Sequence, residues 1–163
     1  MNADIIALMT KICDHKSVGM LVWKDEKLLL IERAKFPFGF AIPAGHVDGD
    51  LSYEESAKRE LREEVGLEAG DLKLLAEGKK ENPCRREGGT WHYWKMYEVV
   101  TTGDVKRSED ETKQVGWYTR EQIEALGDKT QKYNNAEITE EDWGKNPGLE
   151  PIMYEWFKEL KII

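Results

Sequence analysis

GHVDGDLSYEESAKRELREEVGL, residues 45–67, changes its period part-way along. The Gly- and Asp-rich start is loop; Ser52-Tyr53-Glu54-Glu55 then reads as a capping box, in which Ser52 accepts from the amide three residues on and Glu55 reaches back. A helix is expected through AKRELREEV, ending at Gly66, which tolerates the left-handed backbone that commonly closes helices. At roughly 100° per residue, Glu60, Glu63 and Glu64 fall within one arc of that helix. Like charges at this spacing repel by roughly 0.2–0.5 kcal/mol per pair, so the face costs helix stability unless something positive sits among them. A hard divalent ion with oxygen ligands, such as Mg2+, suits it. The plainer reading is a solvated face offset by Lys58, Arg59 and Arg62. Ala57, Leu61 and Val65 form the adjacent stripe and should seat the helix on a sheet, holding the glutamates at its rim. Arg59 can orient a neighbouring carboxylate, and Ala44 and Gly45 let a backbone carbonyl approach an ion.

Outward from this segment, SVGMLVWK (17–24) and LLLIERA (28–34) read as strands joined by a polar turn at Asp25 and Glu26. KFPFGFAIPAG (35–45) is loop with strand fragments. DLKLLAEGKK, TWHYWKMYEVV and KQVGWYT are further strands. TREQIEAL, capped by Thr119, is a short helix with Ile123 and Leu126 on one side. Residues 148–163 form a C-terminal helix, with Ile152, Tyr154 or Trp156, and Leu160 near helical spacing. Residues 127–147 are polar with little periodicity and are expected as a long loop, a lid or the arm of a homodimer. This order predicts one α+β domain over 1–163, an α/β/α sandwich with a mixed sheet between helices.

A chain of 163 residues with 40% apolar residues can bury a core of one domain. Its net charge of −8 argues against a partner such as a nucleic-acid polymer, which needs a basic face. No run of 18 apolar residues or signal-like start is present, so a cytoplasmic protein without membrane contact is expected. Cys13 and Cys84 are the only cysteines and lie far apart. Neither a disulfide framework nor a zinc site of several thiolates is expected from them, and both read as ordinary reduced cysteines. Cys13 with His15 gives two ligands without partners, too few for a metal.

The segment 45–67 resembles the box that defines the MutT/Nudix family: a Gly, a Glu six positions on, then Arg-Glu-apolar-any-Glu-Glu-any-Gly-apolar. Gly45 and Arg59 to Leu67 fit with the correct separation. The likeness extends to IPAG before the box, to the preceding hairpin and to WYTREQIEAL, covering roughly residues 17–126. One position departs: Leu51 stands where the family has its first Glu, with Asp50 and Asp48 nearby. The resemblance implies Mg2+, or Mn2+ in its place, held by Glu60, Glu63, Glu64 and the Ala44 backbone. Glu63 or Glu64 would be the base toward water, and Arg59 would steady the cluster. It further implies an acidic residue shortly before a strand-opening Trp; SEDETKQVGW (108–117) offers Glu111, with Glu109 and Asp110 as rivals.

The same resemblance implies a small-molecule nucleotide substrate, with hydrolysis of a pyrophosphate bond in a nucleoside diphosphate derivative. A nucleoside triphosphate cut to monophosphate and pyrophosphate leads. An ADP-ribose or nucleotide-sugar pyrophosphatase is the nearer alternative, and a non-catalytic nucleotide-binding module the more distant one. Phe40, with Phe36, Phe38, Trp91, Tyr93 and Trp94, can stack a base, although most strand aromatics are core. Arg33, Lys35, Arg85 and Arg86 can meet phosphates.

Overall fold

The computed structural model describes residues 11–49 and 52–163. Asp50 and Leu51, where the box departs from its family pattern, therefore lie outside the described residues. Eight strands run in order: β1 (Lys16–Leu21), β2 (Trp23–Lys24), β3 (Lys27–Arg33), β4 (Phe40–Ala41), β5 (Ala44–His46), β6 (Glu68–Lys80), β7 (His92–Thr102) and β8 (Thr112–Tyr118). Helices are α1 (Tyr53–Val65), α2 (Arg120–Asn134), α3 (Glu140–Lys145) and α4 (Pro151–Glu159).

The strands divide into two sheets. One is mixed, in the order β5-β1-β7-β6, with β1 parallel to β7 and the other pairs antiparallel. The other is antiparallel, with β3 pairing β2, β4 and β8. The tight turn falls at Asp25 and Glu26, whose φ values of 51° and 63° are the left-handed pair that suits a two-residue hairpin. It joins β2 to β3, while β1 crosses into the mixed sheet.

Why Leu28 to Ile31 are all apolar follows from the layers. Leu28 and Leu30 join the cluster of Ile123, Trp156 and Phe157, whereas Leu29 and Ile31 join that of Ala57, Leu61 and Val65. A strand covered on both faces loses the polar alternation of a half-exposed one. Helix α1 lies on one side and α2 with α4 on the other, giving the α/β/α arrangement. The α1 stripe of Ala57, Leu61 and Val65 is fully buried; by area, Leu61 and Val65 contribute about 1.5–3 kcal/mol each. Ser52 caps α1 by accepting from Glu55 N at 3.1 Å, and Gly66 closes it at φ 71°.

Two boundaries differ from the sequence expectation. Residues 127–147 are not one loop: α2 continues to Asn134 and α3 follows. The buried positions of α2 are Ile123, Gly127 and Thr130, so the inward stripe carries only one large apolar residue and leaves no hydrophobic period to read. Gly127 lets Ile163 and Tyr154 approach, and the Thr130 hydroxyl donates to Leu126 O at 3.0 Å or Leu149 O at 2.9 Å. The C-terminal helix is shorter than 148–163, because Glu150 accepts from Ile152 N and Met153 N and starts α4 at Pro151. Among the described residues no helix is long and apolar enough to cross a membrane.

Candidate functional site

Three glutamates leave the rim of α1 with different surroundings. Glu63 is open, its side chain 58% exposed, whereas that of Glu60 is 13% exposed and Glu64 is buried. Arg59 spans the first two: its guanidinium donates to Glu60 Oε1 at 2.8 Å and Glu63 Oε2 at 3.3 Å. Its other terminal nitrogen donates to His46 O at 3.0 Å, fixing the helix to β5. Glu64 accepts from Ala44 N at 3.4 Å, so a second tie runs from the helix to the same short strand. Gly45 lies between those anchor points, and a Cβ there would overlap the Glu60 carboxyl. The glycine is a matter of space for a carboxylate rather than of backbone conformation.

Burial dominates the electrostatics. It pushes the Glu60 carboxyl up to about 7, against the opposing pull of Arg59, with Glu63 adding repulsion. Burial likewise raises Glu64 well above the usual range, and the neighbouring Glu60 charge raises it further. Two desolvated carboxylates that repel one another form an oxygen-only set that a hard cation would relieve. Glu111 also raises both, which places it within electrostatic reach of the pair, and it accepts from Lys35 Nζ at 3.2 Å.

A cavity of about 110 Å³ adjoins the glutamates, lined by Glu64, Arg33, Ala44 and Gly45 among others. Arg33 is held there by a 2.7 Å hydrogen bond from Nε to Pro37 O, and its charge favours the ionised form of Glu64. It shares Pro37, Asn82, Pro83 and Glu150 with a larger cleft of about 490 Å³, whose aromatic wall is Phe36, Phe38, Tyr133 and Trp143. Tyr133 and Trp143 stack at 4.0 Å, so the segment expected as a loop forms one side of this cleft.

Phe40 requires correction as a base-stacking residue. It is buried in the core, edge-on to Tyr118 at 5.6 Å, because β4 is clamped between β3 and Leu149. Arg86 is engaged by Asp48 in a two-pronged ion pair, while Arg85 is exposed. Along β7, Trp94 and His92 face inward and Tyr93 outward, as strand alternation requires.

The family model for the NUDIX domain matches residues 14–141. The chain belongs to this family. Among curated proteins it is 30% identical over 104 residues to a putative nudix hydrolase 1 of Caenorhabditis elegans, covering 62% of this chain and 27% of that protein. It is 43% identical over 57 residues to an ADP-ribose pyrophosphatase of Methanocaldococcus jannaschii, covering 32% of this chain and 34% of that one. The chain thus spans about a third or less of the length of these two relatives. Among solved structures, a NUDIX-family hydrolase from Clostridium perfringens superposes with a TM-score of 0.61 at 16% identity, covering 90% of this chain and 95% of the other. A MutT protein from Methanosarcina mazei Go1 gives 0.60 at 19% identity, covering 94% and 95%. These likenesses show that the NUDIX fold extends over most of the chain.

This NUDIX chain also assembles residues that sequence reasoning left apart. Cys13 and Cys84 are not isolated thiols: with His46 and His92 they place four ligand atoms within 4.8 Å of one another. Their sequence separations gave no motif; the pairing of β1 with β5 and β7, and the bridge from Ile12 to Glu87, bring them together. Burial pushes His46 down to about 4 and lowers His92, favouring neutral rings. Glu150 was missed as well. Buried between the cavity and the cleft, it is raised to about 7 by desolvation, and its one sequence signal is its place before Pro151 at a helix start.

Proposed function

We propose that this chain hydrolyses the pyrophosphate linkage of a nucleoside diphosphate derivative with Mg2+, Mn2+ serving in its place. A nucleoside triphosphate, cut to monophosphate and pyrophosphate, is the favoured substrate. The observation that carries the reading is the convergence of half-buried Glu60 and buried Glu64, both raised, on the Ala44–Gly45 strand that Arg59 fixes. Glu60, Glu63, Glu64 and the Ala44 carbonyl would hold the ion, and their all-oxygen chemistry fits it. A bound divalent ion supplies charge neutralisation of the diphosphate and an acidified water for in-line attack.

The chain's own residues do the rest. Glu63 or Glu64 takes the proton from the attacking water, and Glu111 is a further acidic group within electrostatic reach. Arg59 keeps Glu60 and Glu63 in register. Arg33 brings positive charge to the cavity where a phosphate would lie, and exposed Arg85 offers another. The aromatic cleft beside the cavity takes the base by stacking on Phe36 or Phe38.

An ADP-ribose or nucleotide-sugar substrate is the second reading, favoured by the cleft volume and by the name of the Methanocaldococcus relative. Product analysis after incubation with each substrate class and magnesium separates them. Pyrophosphate release supports the triphosphate reading, and two monophosphates the second. Binding of nucleotide without turnover of any class would make the domain a binding module and contradict the hydrolase reading.

A further inference from the structure

We propose that Cys13, His46, Cys84 and His92 form a closed Cys2His2 site for a structural zinc ion, separate from the glutamate face. Their four donor atoms lie within 4.8 Å of one another. Cys13 Sγ stands 3.2 Å from His92 Nε2 and 3.6 Å from His46 Nε2. Zinc bonds of about 2.3 Å to sulfur and 2.0–2.1 Å to nitrogen in a tetrahedron put ligand atoms about 3.4–3.8 Å apart, so small side-chain adjustments complete the site. The chain has only two cysteines and three histidines. Both cysteines and two of the histidines meet here, with His15 stacked on Trp91 beside them.

Backbone amides are aimed at both sulfurs. Each accepts a backbone N–H from the residue two positions on, His15 N to Cys13 and Arg86 N to Cys84, both at 3.3 Å. At Cys13 the amide opposes burial, which raises the thiol, so a bound cation would be what holds it in the ligating form. The 84–89 loop is folded around its sulfur: Cys84 N donates to Gly89 O at 2.8 Å, and a Cβ at Gly89 would overlap Cys84 Sγ. The Cys13 segment is registered on that loop by reciprocal bonds of 2.9 Å, Cys13 N to Glu87 O and Glu87 N to Lys11 O. Arg86 then ties the loop to Asp48.

The ligand set contains thiolate and imidazole and no carboxylate, which selects zinc over magnesium. Four protein ligands leave no open position, which marks a structural rather than a catalytic ion. It would tie together four segments distant in sequence: the approach to β1, strand β5, the β6–β7 connection and the start of β7. Because His46 also offers its carbonyl to Arg59, the ion would brace the wall against which the glutamates stand.

The test is elemental analysis of the full-length chain purified without chelator, with cobalt substitution as a second readout. One zinc per chain is expected, and cobalt in its place should show the intense visible bands of a tetrahedral site and sulfur-to-cobalt charge transfer. Cys84→Ser should lose the zinc, whereas Glu64→Gln should retain it. Zinc near zero in the wild-type chain would overturn the proposal, with Cys13 and Cys84 then found as free thiols or a disulfide. Full zinc occupancy in a folded Cys84→Ser variant would overturn it equally. If that variant does not fold, the wild-type stoichiometry and cobalt spectrum decide.

Discussion

The glutamate face of α1 and the Cys/His cluster meet at one three-residue strand, β5, and differ in almost everything else. The first is made of oxygen atoms from neighbouring turns of one helix; the second is made of sulfur and nitrogen from four separated segments. One is set by helical period, the other by strand pairing. Gly45 serves the first by leaving room for Glu60, and His46, the next residue, belongs to the second. The contrast teaches that ligand spacing along the chain reveals a site only where a single element builds it.

The comparison is broken most severely at the helix. Glu63→Gln and Glu64→Gln, each nearly isosteric, should lower magnesium-dependent turnover by roughly 10²–10⁴-fold for the one that acts as base. Circular dichroism should show the fold retained. Unchanged turnover in both variants would remove the glutamate face from the mechanism.

Gly45→Ala tests the junction. Its methyl group must displace the Glu60 carboxyl, and a shift of about 1 Å in a positioned group costs on the order of 10²-fold. Zinc content should stay unchanged, since His46 keeps its backbone pairing with Ser17. Loss of zinc together with activity would show that the two regions act as one.

A smaller effect comes from Glu150, a buried acid between the cavity and the cleft that belongs to neither ligand set. Its folded pKa is raised from 4.5 to about 7, so the folded state holds a proton more tightly than the unfolded chain. The contribution to stability is full below 4.5 and is lost as pH rises through 7. Glu150→Gln removes that dependence while keeping an oxygen for the α4 amides. Relative to wild type, the variant should gain about 3 kcal/mol between pH 4.5 and pH 8, measured by urea unfolding in magnesium-free buffer. A difference that does not vary with pH would contradict this.

Much of the fold was legible for physical reasons. Ser52, Gly66 and the Ala57-Leu61-Val65 stripe carry their own local signals, and the turn at Asp25 and Glu26 fell where expected. The assignment of β1 to the mixed sheet was not legible, because sheet membership depends on partners remote in sequence. Helix α2 beyond Leu126 escaped for another reason: Gly127 and Thr130 face inward and pack by smallness and hydrogen bonding, not by hydrophobicity. The glutamates could be placed on one face from the sequence, but their unequal burial could not, since it depends on β5 lying across the helix rim. Phe40 misled because an aromatic in a Gly- and Pro-rich stretch looks like a loop residue until β4 forms.

The central claim is that the two regions are chemically distinct sites, and parallel assays on Glu64→Gln test it most directly. Turnover with magnesium and zinc content are measured on the same purified sample. The account predicts turnover lost with one zinc per chain retained. Turnover at the wild-type rate, or zinc lost along with it, would contradict it.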